Sequence, residues 1–119
     1  MYSKIILYLL ILLAFINPAK AQNQTVRMHV HNDYQQSVPF WGAYSNQASS
    51  IEADIFLKDG QLYVAHEKHE ISPERTLQSL YLEPLKKAYT QNLGQQQKLQ
   101  LLIDIKSDAY QTLDQLIKQ

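Results

Sequence analysis

SIEADIFL, residues 50–57, places two acids, Glu52 and Asp54, inside the most strand-like run of the chain. Side chains two apart on a strand point to the same face. Ile51, Ala53 and Ile55 therefore share one face, and Glu52, Asp54 and Phe56 share the other. Two carboxylates on one face repel, and burying either without a partner is costly. An edge strand with a wet face is the ordinary explanation. A cation seated between the acids is the sharper one, and the surrounding sequence has to decide.

Outward from this run, Lys58-Asp59-Gly60 carries an Asp-Gly hairpin signal. The chain then returns as a second strand, QLYVAHE, residues 61–67. Upstream, VRMHVH (26–31) reads as a short strand, 32–40 as a polar loop with Pro39, and WGAYSNQA (41–48) as a short helix. Downstream, 68–76 is loop and 77–92 is mostly helical from about Pro84, a residue suited to a first helical turn. Gly94 is placed for the C-terminal cap. KLQLLIDIK (98–106) is a strand, and 107–119 is a helix capped by Ser107 or Asp108. Strand alternating with helix predicts a parallel α/β sheet with right-handed crossovers, the hairpin being a decoration on its second strand.

Residues 1–21 read as a signal peptide. Lys4 makes the start basic, an apolar run extends from Ile5 to Ile16, and Ala19-Lys20-Ala21 is an A-x-A cleavage site. The run is shorter than the roughly 20 residues a membrane span needs. Of 119 residues, 98 then belong to the mature chain, 22–119, in the periplasm or outside the cell with no stable membrane span. The whole chain has 11 basic and 11 acidic side chains; without Lys4 and Lys20 its net charge is −2. That balance, with no basic stripe, excludes a nucleic-acid partner. There is no cysteine, so an exported chain this small relies on its core or on a metal.

The polar groups are unevenly spread. His29 and His31 share a face of the first strand, Glu52 and Asp54 of the second, and His66 ends the hairpin strand. Asp104 and Lys106 share a face of the third main strand, opposite Leu101, Ile103 and Ile105. Taken singly, each has a plain explanation. His29 reads as a core or rim histidine, His69 as a loop residue, Asp59 as a turn residue, and Asp104 with Lys106 as a surface pair. Glu70, Glu74, Glu83, Lys86 and Lys87 read as solvated faces. Together they put ionisable groups near the C-terminal ends of neighbouring strands, where parallel α/β folds bind ligands. Glu52, Asp54 and Asp104 form a hard oxygen cage suited to one Mg²⁺ or Ca²⁺. Zinc would recruit more imidazole or thiolate. His31 and His66 would flank the cation as an acid/base pair, and Lys106 would stabilise added negative charge. That set suits displacement at phosphorus.

HNDY (31–34), IEADIFLKDGQLYVAHE (51–67) and LLIDIKSD (101–108) resemble the glycerophosphodiester phosphodiesterase and phosphatidylinositol-specific phospholipase C-like superfamily, in its His-Asn-Asp-Tyr branch. The resemblance implies that His31 and His66 are the two catalytic histidines. It likewise implies that Glu52, Asp54 and Asp104 are metal ligands and Lys106 is the active-site lysine. It implies a TIM (β/α)₈ barrel and metal-assisted hydrolysis of a phosphodiester, in a small molecule or a lipid headgroup, commonly through a cyclic phosphate. Asn32-Asp33 stands where the family has Arg-Gly, and Glu67 where it has Asp, which bears on the substrate. Such a barrel needs about 250 residues. Residues 22–119 are therefore expected to be the first three or so βα units, with the missing barrel part needed for a closed site. The alternative is a truncated, inactive fragment or binding module. A small histidine-based metal protein is disfavoured by the missing cysteines and the wide His spacing.

Overall fold

The computed structural model describes residues 26–94 and 98–119, so the expected leader at 1–21 lies outside the described residues. Its centre is β2, Ser50–Lys58, the strand that contains SIEADIFL. The apolar face does what its alternation demands: Ile51, Ala53 and Ile55 are fully buried. Burying an isoleucine is worth about 2 kcal/mol over leaving it exposed. One buried cluster joins these residues to Phe40, Ala43, Ala48, Leu62, Val64, Leu77, Tyr81 and Ala88. Leu101, Ile103 and Ile105 pack against it from the side.

β2 has neighbours on both edges, which overturns the edge-strand explanation of its two acids. One edge pairs in parallel with β4, Gln100–Ile105, from Ser50↔Gln100 to Ile55↔Ile105. The other edge is shared end to end. β1, His29–Val30, pairs in parallel with Ser50 and Ile51, and β3, Gln61–Val64, pairs antiparallel with Ile55–Lys58. Asp59 and Gly60 both have positive φ, the conformation that a two-residue hairpin turn requires. The sheet is thus parallel across β1, β2 and β4, with the hairpin as an extension of β2.

Each parallel strand is followed by a helix: α1 (Trp41–Ser45), α2 (Glu83–Thr90) and α3 (Ala109–Leu116). A wide helical turn, Gln78–Leu82, leads straight into α2, so this helical segment starts before Pro84. Asp108 caps α3, its carboxylate accepting from Gln111 N–H at 2.9 Å. Gly94 is not the cap of α2. Asn92 takes the left-handed conformation, and Leu93 N–H closes on Ala88 O at 2.9 Å, a Schellman-type end. Three strands are shorter than expected, β4 running only from Gln100 to Ile105. β1 stops at Val30 because Asn32 turns left-handed (φ 47°), and β3 stops at Val64, before His66.

The loop between β1 and α1 is organised by a buried acid. Phe40 has φ 60° and ψ −63°, with Trp41 N–H bonded to Pro39 O at 2.7 Å, the rarer and strained kind of γ-turn. Asp33 holds it, one carboxylate oxygen accepting Phe40 N–H at 2.6 Å and the Tyr81 hydroxyl at 3.0 Å. The Phe40 ring, itself buried, stacks on Tyr44 and meets Trp41 edge-on. The Arg75 guanidinium donates to Tyr34 O. These contacts fix the turn that carries Tyr34.

Candidate active site

In-register parallel pairing sets Asp54 beside Asp104, and parallel partners present the same face. Glu52, two residues earlier on β2, faces the same way. One carboxylate oxygen from each of the three acids lies within 4.8 Å of the others. Asp54 is 1% exposed and Asp104 side chain 46% exposed, so the cluster runs from the sheet interior to the surface.

Asp54 is the hub. Its Oδ2 receives the Tyr34 hydroxyl at 2.9 Å, His66 Nδ1 at 3.1 Å and Lys106 Nζ at 3.4 Å. Lys106 also reaches Asp104 Oδ2 at 2.7 Å. That bond, chiefly, holds the Lys106 ammonium above its ordinary pKa. Glu52 is held from the other side: His29 Nε2 lies 3.1 Å from Oε2 and His31 Nε2 3.6 Å from Oε1. His29 also bonds the Ser50 hydroxyl at 2.7 Å. Burial, and then the bond to Asp54, pushes the Tyr34 phenol well above its ordinary range.

Three carboxylates face one ammonium in this cluster. Asp54 Oδ1 is buried without a hydrogen-bond partner, and leaving such a lone pair unused is costly. An oxygen-rich donor set and an unspent buried carboxylate oxygen fit a hard divalent cation, which Glu52, Asp54 and Asp104 could hold.

All six residues expected from sequence converge on this end of the sheet: His31, Glu52, Asp54, His66, Asp104 and Lys106. His31 is the loosest member, with 70% of its side chain exposed. His69 stays on the surface, outside the cluster, and Glu67 and Glu70 cap a turn of helix at Lys68–Glu70. Two members escaped sequence reasoning. Tyr34 was visible within HNDY, but nothing in the string says that its hydroxyl reaches a strand 20 residues later. His29 is a rim histidine as expected, yet it is bonded to Glu52; its shared face with His31 was the available signal.

A family model described as the AIM6-like phosphodiesterase domain matches residues 18–97, which include His31, Glu52, Asp54 and His66 and stop before Asp104 and Lys106. The Arthroderma benhamiae "Altered inheritance of mitochondria protein 6 homolog" is 47% identical over 66 residues, 50% of this chain and 21% of that protein. "Altered inheritance of mitochondria protein 6" of Eremothecium gossypii is 38% identical over 61 residues, 50% of this chain and 16% of that protein. The matched part is thus about a fifth or less of each relative. No solved structure matches the chain. With most of its length under that family model and the buried Asp54 hub inside the matched region, the chain belongs to the AIM6-like phosphodiesterase domain family.

Proposed function

We propose that this site hydrolyses phosphodiesters with one Mg²⁺ or Ca²⁺ held by Glu52, Asp54 and Asp104. The observation that carries the reading is the Asp54 carboxylate, with Oδ2 shared among Tyr34, His66 and Lys106 and Oδ1 buried and unspent. A divalent cation there supplies charge neutralisation at a phosphoryl oxygen. One of His31 and His66 takes the proton of the attacking hydroxyl, from water or from the substrate itself. The other gives a proton to the departing alkoxide as the new P–O bond forms and the old one breaks. Lys106 offsets the charge that grows on the equatorial oxygens.

The glycerophosphodiester type of substrate, and placement in the phospholipase C-like superfamily, belong to this proposal. They rest on the HNDY, Glu-x-Asp and Asp-x-Lys motifs. So does a barrel. Its support is that β1, β2 and β4 are parallel, adjacent and added in chain order, each followed by a helix, with the site near the C-terminal ends of β1 and β4. Export rests on the pattern in residues 1–21 alone.

The test is hydrolysis of glycerophosphodiesters by the 119-residue chain, with Mg²⁺, with Ca²⁺ and with chelator, beside Glu52→Ala and Asp54→Asn. Cation-dependent turnover that both substitutions abolish is the expected result. Turnover untouched by chelator overturns the metal assignment. A second reading, a segment that binds the cation and phosphodiester without turnover by itself, is favoured by one observation. The outer edges of β1 and β4 have no strand beside them among the described residues, so the site is open on both flanks.

A further inference from the structure

The Tyr34 hydroxyl, His66 Nδ1 and Asp54 Oδ2 form a closed triangle with sides of 2.9, 3.1 and 3.3 Å. Tyr34 itself is 3% exposed, while 44% of the His66 side chain is exposed. The triangle therefore joins a buried ring to one that reaches the surface. Tyr34 does not belong to the sheet. It sits on the turn Asp33–Gln35, which is tied down by the Asp33 bonds to Phe40 and Tyr81 and by Arg75 on its carbonyl. The β1–α1 loop thus delivers one hydroxyl to Asp54 on β2 and to the hairpin end that holds His66.

We propose that Tyr34 is a positioning residue of this site: its hydroxyl pins one oxygen of Asp54 and, beside it, sets the orientation of the His66 ring. A phenol O–H that donates to Asp54 Oδ2 can offer only its lone pairs to His66. Both groups facing Nδ1 are then acceptors, so the imidazole carries its proton on Nδ1 and keeps Nε2 as the nitrogen for proton transfer. With Oδ2 engaged by Tyr34, His66 and Lys106, the carboxylate cannot rotate freely, and Oδ1 is the oxygen left for a ligand. Outer partners of this kind orient ligating groups and set ring tautomers in metal sites. The inference rests on the reading of Asp54 as ligand and His66 as acid/base.

Tyr34→Phe keeps the buried ring and removes only the hydroxyl. The first readout is the ¹⁵N spectrum of the His66 ring in the full chain without metal. The wild type is expected to show the Nδ1–H tautomer, and Tyr34→Phe the same tautomer with shifted ring nitrogen resonances, because the Asp54 carboxylate still accepts from Nδ1 but the ring has lost its second acceptor. A wild-type His66 protonated on Nε2 overturns the proposal whether or not the variant folds, and so does an unchanged His66 spectrum in a folded variant. The second readout is Mn²⁺ affinity by calorimetry, expected to weaken roughly 10-fold in Tyr34→Phe, as loss of an outer partner typically does. An affinity within twofold of wild type removes the part of the proposal that concerns Asp54. If the wild type and Asp54→Asn are alike in failing to bind Mn²⁺, the metal reading falls, and the His66 spectrum alone decides the role of Tyr34.

Discussion

Two aspartates, Asp33 and Asp54, are almost equally buried, and each has one oxygen with partners and one without. Their partners differ in kind. Asp33 holds a backbone N–H and the hydroxyl of the buried Tyr81, and through them a strained turn. Asp54 holds a phenol, an imidazole and an ammonium, with two further carboxylates close by. Burial alone therefore does not mark a chemical site. A carboxylate surrounded by fixed neutral donors braces the fold. One surrounded by groups that can move protons or charge, and open to the surface through Asp104 and His66, is equipped for chemistry.

Removing the bracing acid is the strongest way to break this comparison. Asp33→Ala leaves two buried donors without an acceptor, at a cost of about 3 kcal/mol. In a domain this size the melting temperature should fall by roughly 10–20 °C. Asp33→Asn keeps an acceptor oxygen and should lose clearly less. Circular dichroism melts of the two variants measure both, and a loss under about 1 kcal/mol for Asp33→Ala would put the bracing role aside.

Asp54→Asn should behave in the opposite way. The amide oxygen still accepts from Tyr34, and one of three crowded negative charges disappears. The melting temperature without metal should change far less than in Asp33→Ala. In the wild type, a cation at 100 times its dissociation constant should add about 2.7 kcal/mol of stability. Asp54→Asn should show none of that gain. Equal stabilisation of both proteins by Mg²⁺ or Ca²⁺ would place the cation elsewhere.

A finer distinction lies within the acid cluster. Glu52, with 12% of its side chain exposed, should contribute more to cation affinity than Asp104, at 46%, because solvent screens an exposed charge. Glu52→Gln should therefore weaken Mn²⁺ binding more than Asp104→Asn. Calorimetric titration of the two variants against wild type settles the order.

The smallest expected effect is on the alkaline side. Burial, and then Asp33, push the Tyr81 phenol far above its ordinary value of 10.0. The folded protein keeps that proton when the unfolded chain has lost it. The resulting stability is complete below pH 10 and declines as pH rises above it. Lys106, raised above 10.5 mainly by its bond to Asp104, has the same sign and adds to the same limb. Stability measured from pH 8 to 11 should fall from about pH 10, and Tyr81→Phe should flatten that fall.

The central features of the fold were legible because they rest on local patterns. Alternation in SIEADIFL, the Asp-Gly turn and the Asp108 cap each act within a few residues, and the structure follows them. Boundaries were less legible. β1 ends early because Asn32 takes a left-handed conformation, and the end of α2 is closed by a left-handed Asn92 rather than by Gly94, choices that asparagine tolerates but does not announce. Glu52, Asp54 and Asp104 could be grouped from sequence because strand periodicity gives each a face, while His31, His66 and Lys106 lie just past the ends of β1, β3 and β4. Tyr34 could not, since it lies on a turn with no period to extrapolate.

The sequence by itself determined which residues face which way. Apolar alternation drives Ile51, Ala53 and Ile55 into the core and so commits Glu52 and Asp54 to the opposite face. Only the tertiary structure decided what those acids meet. Register between β2 and β4, set by pairing along both strands, brings Asp104 beside Asp54. The packing of the β1–α1 loop, locked by Asp33 against Tyr81, brings Tyr34 to the same oxygen. Contacts between segments 20 to 50 residues apart depend on how buried surfaces fit together, and no local pattern carries that information.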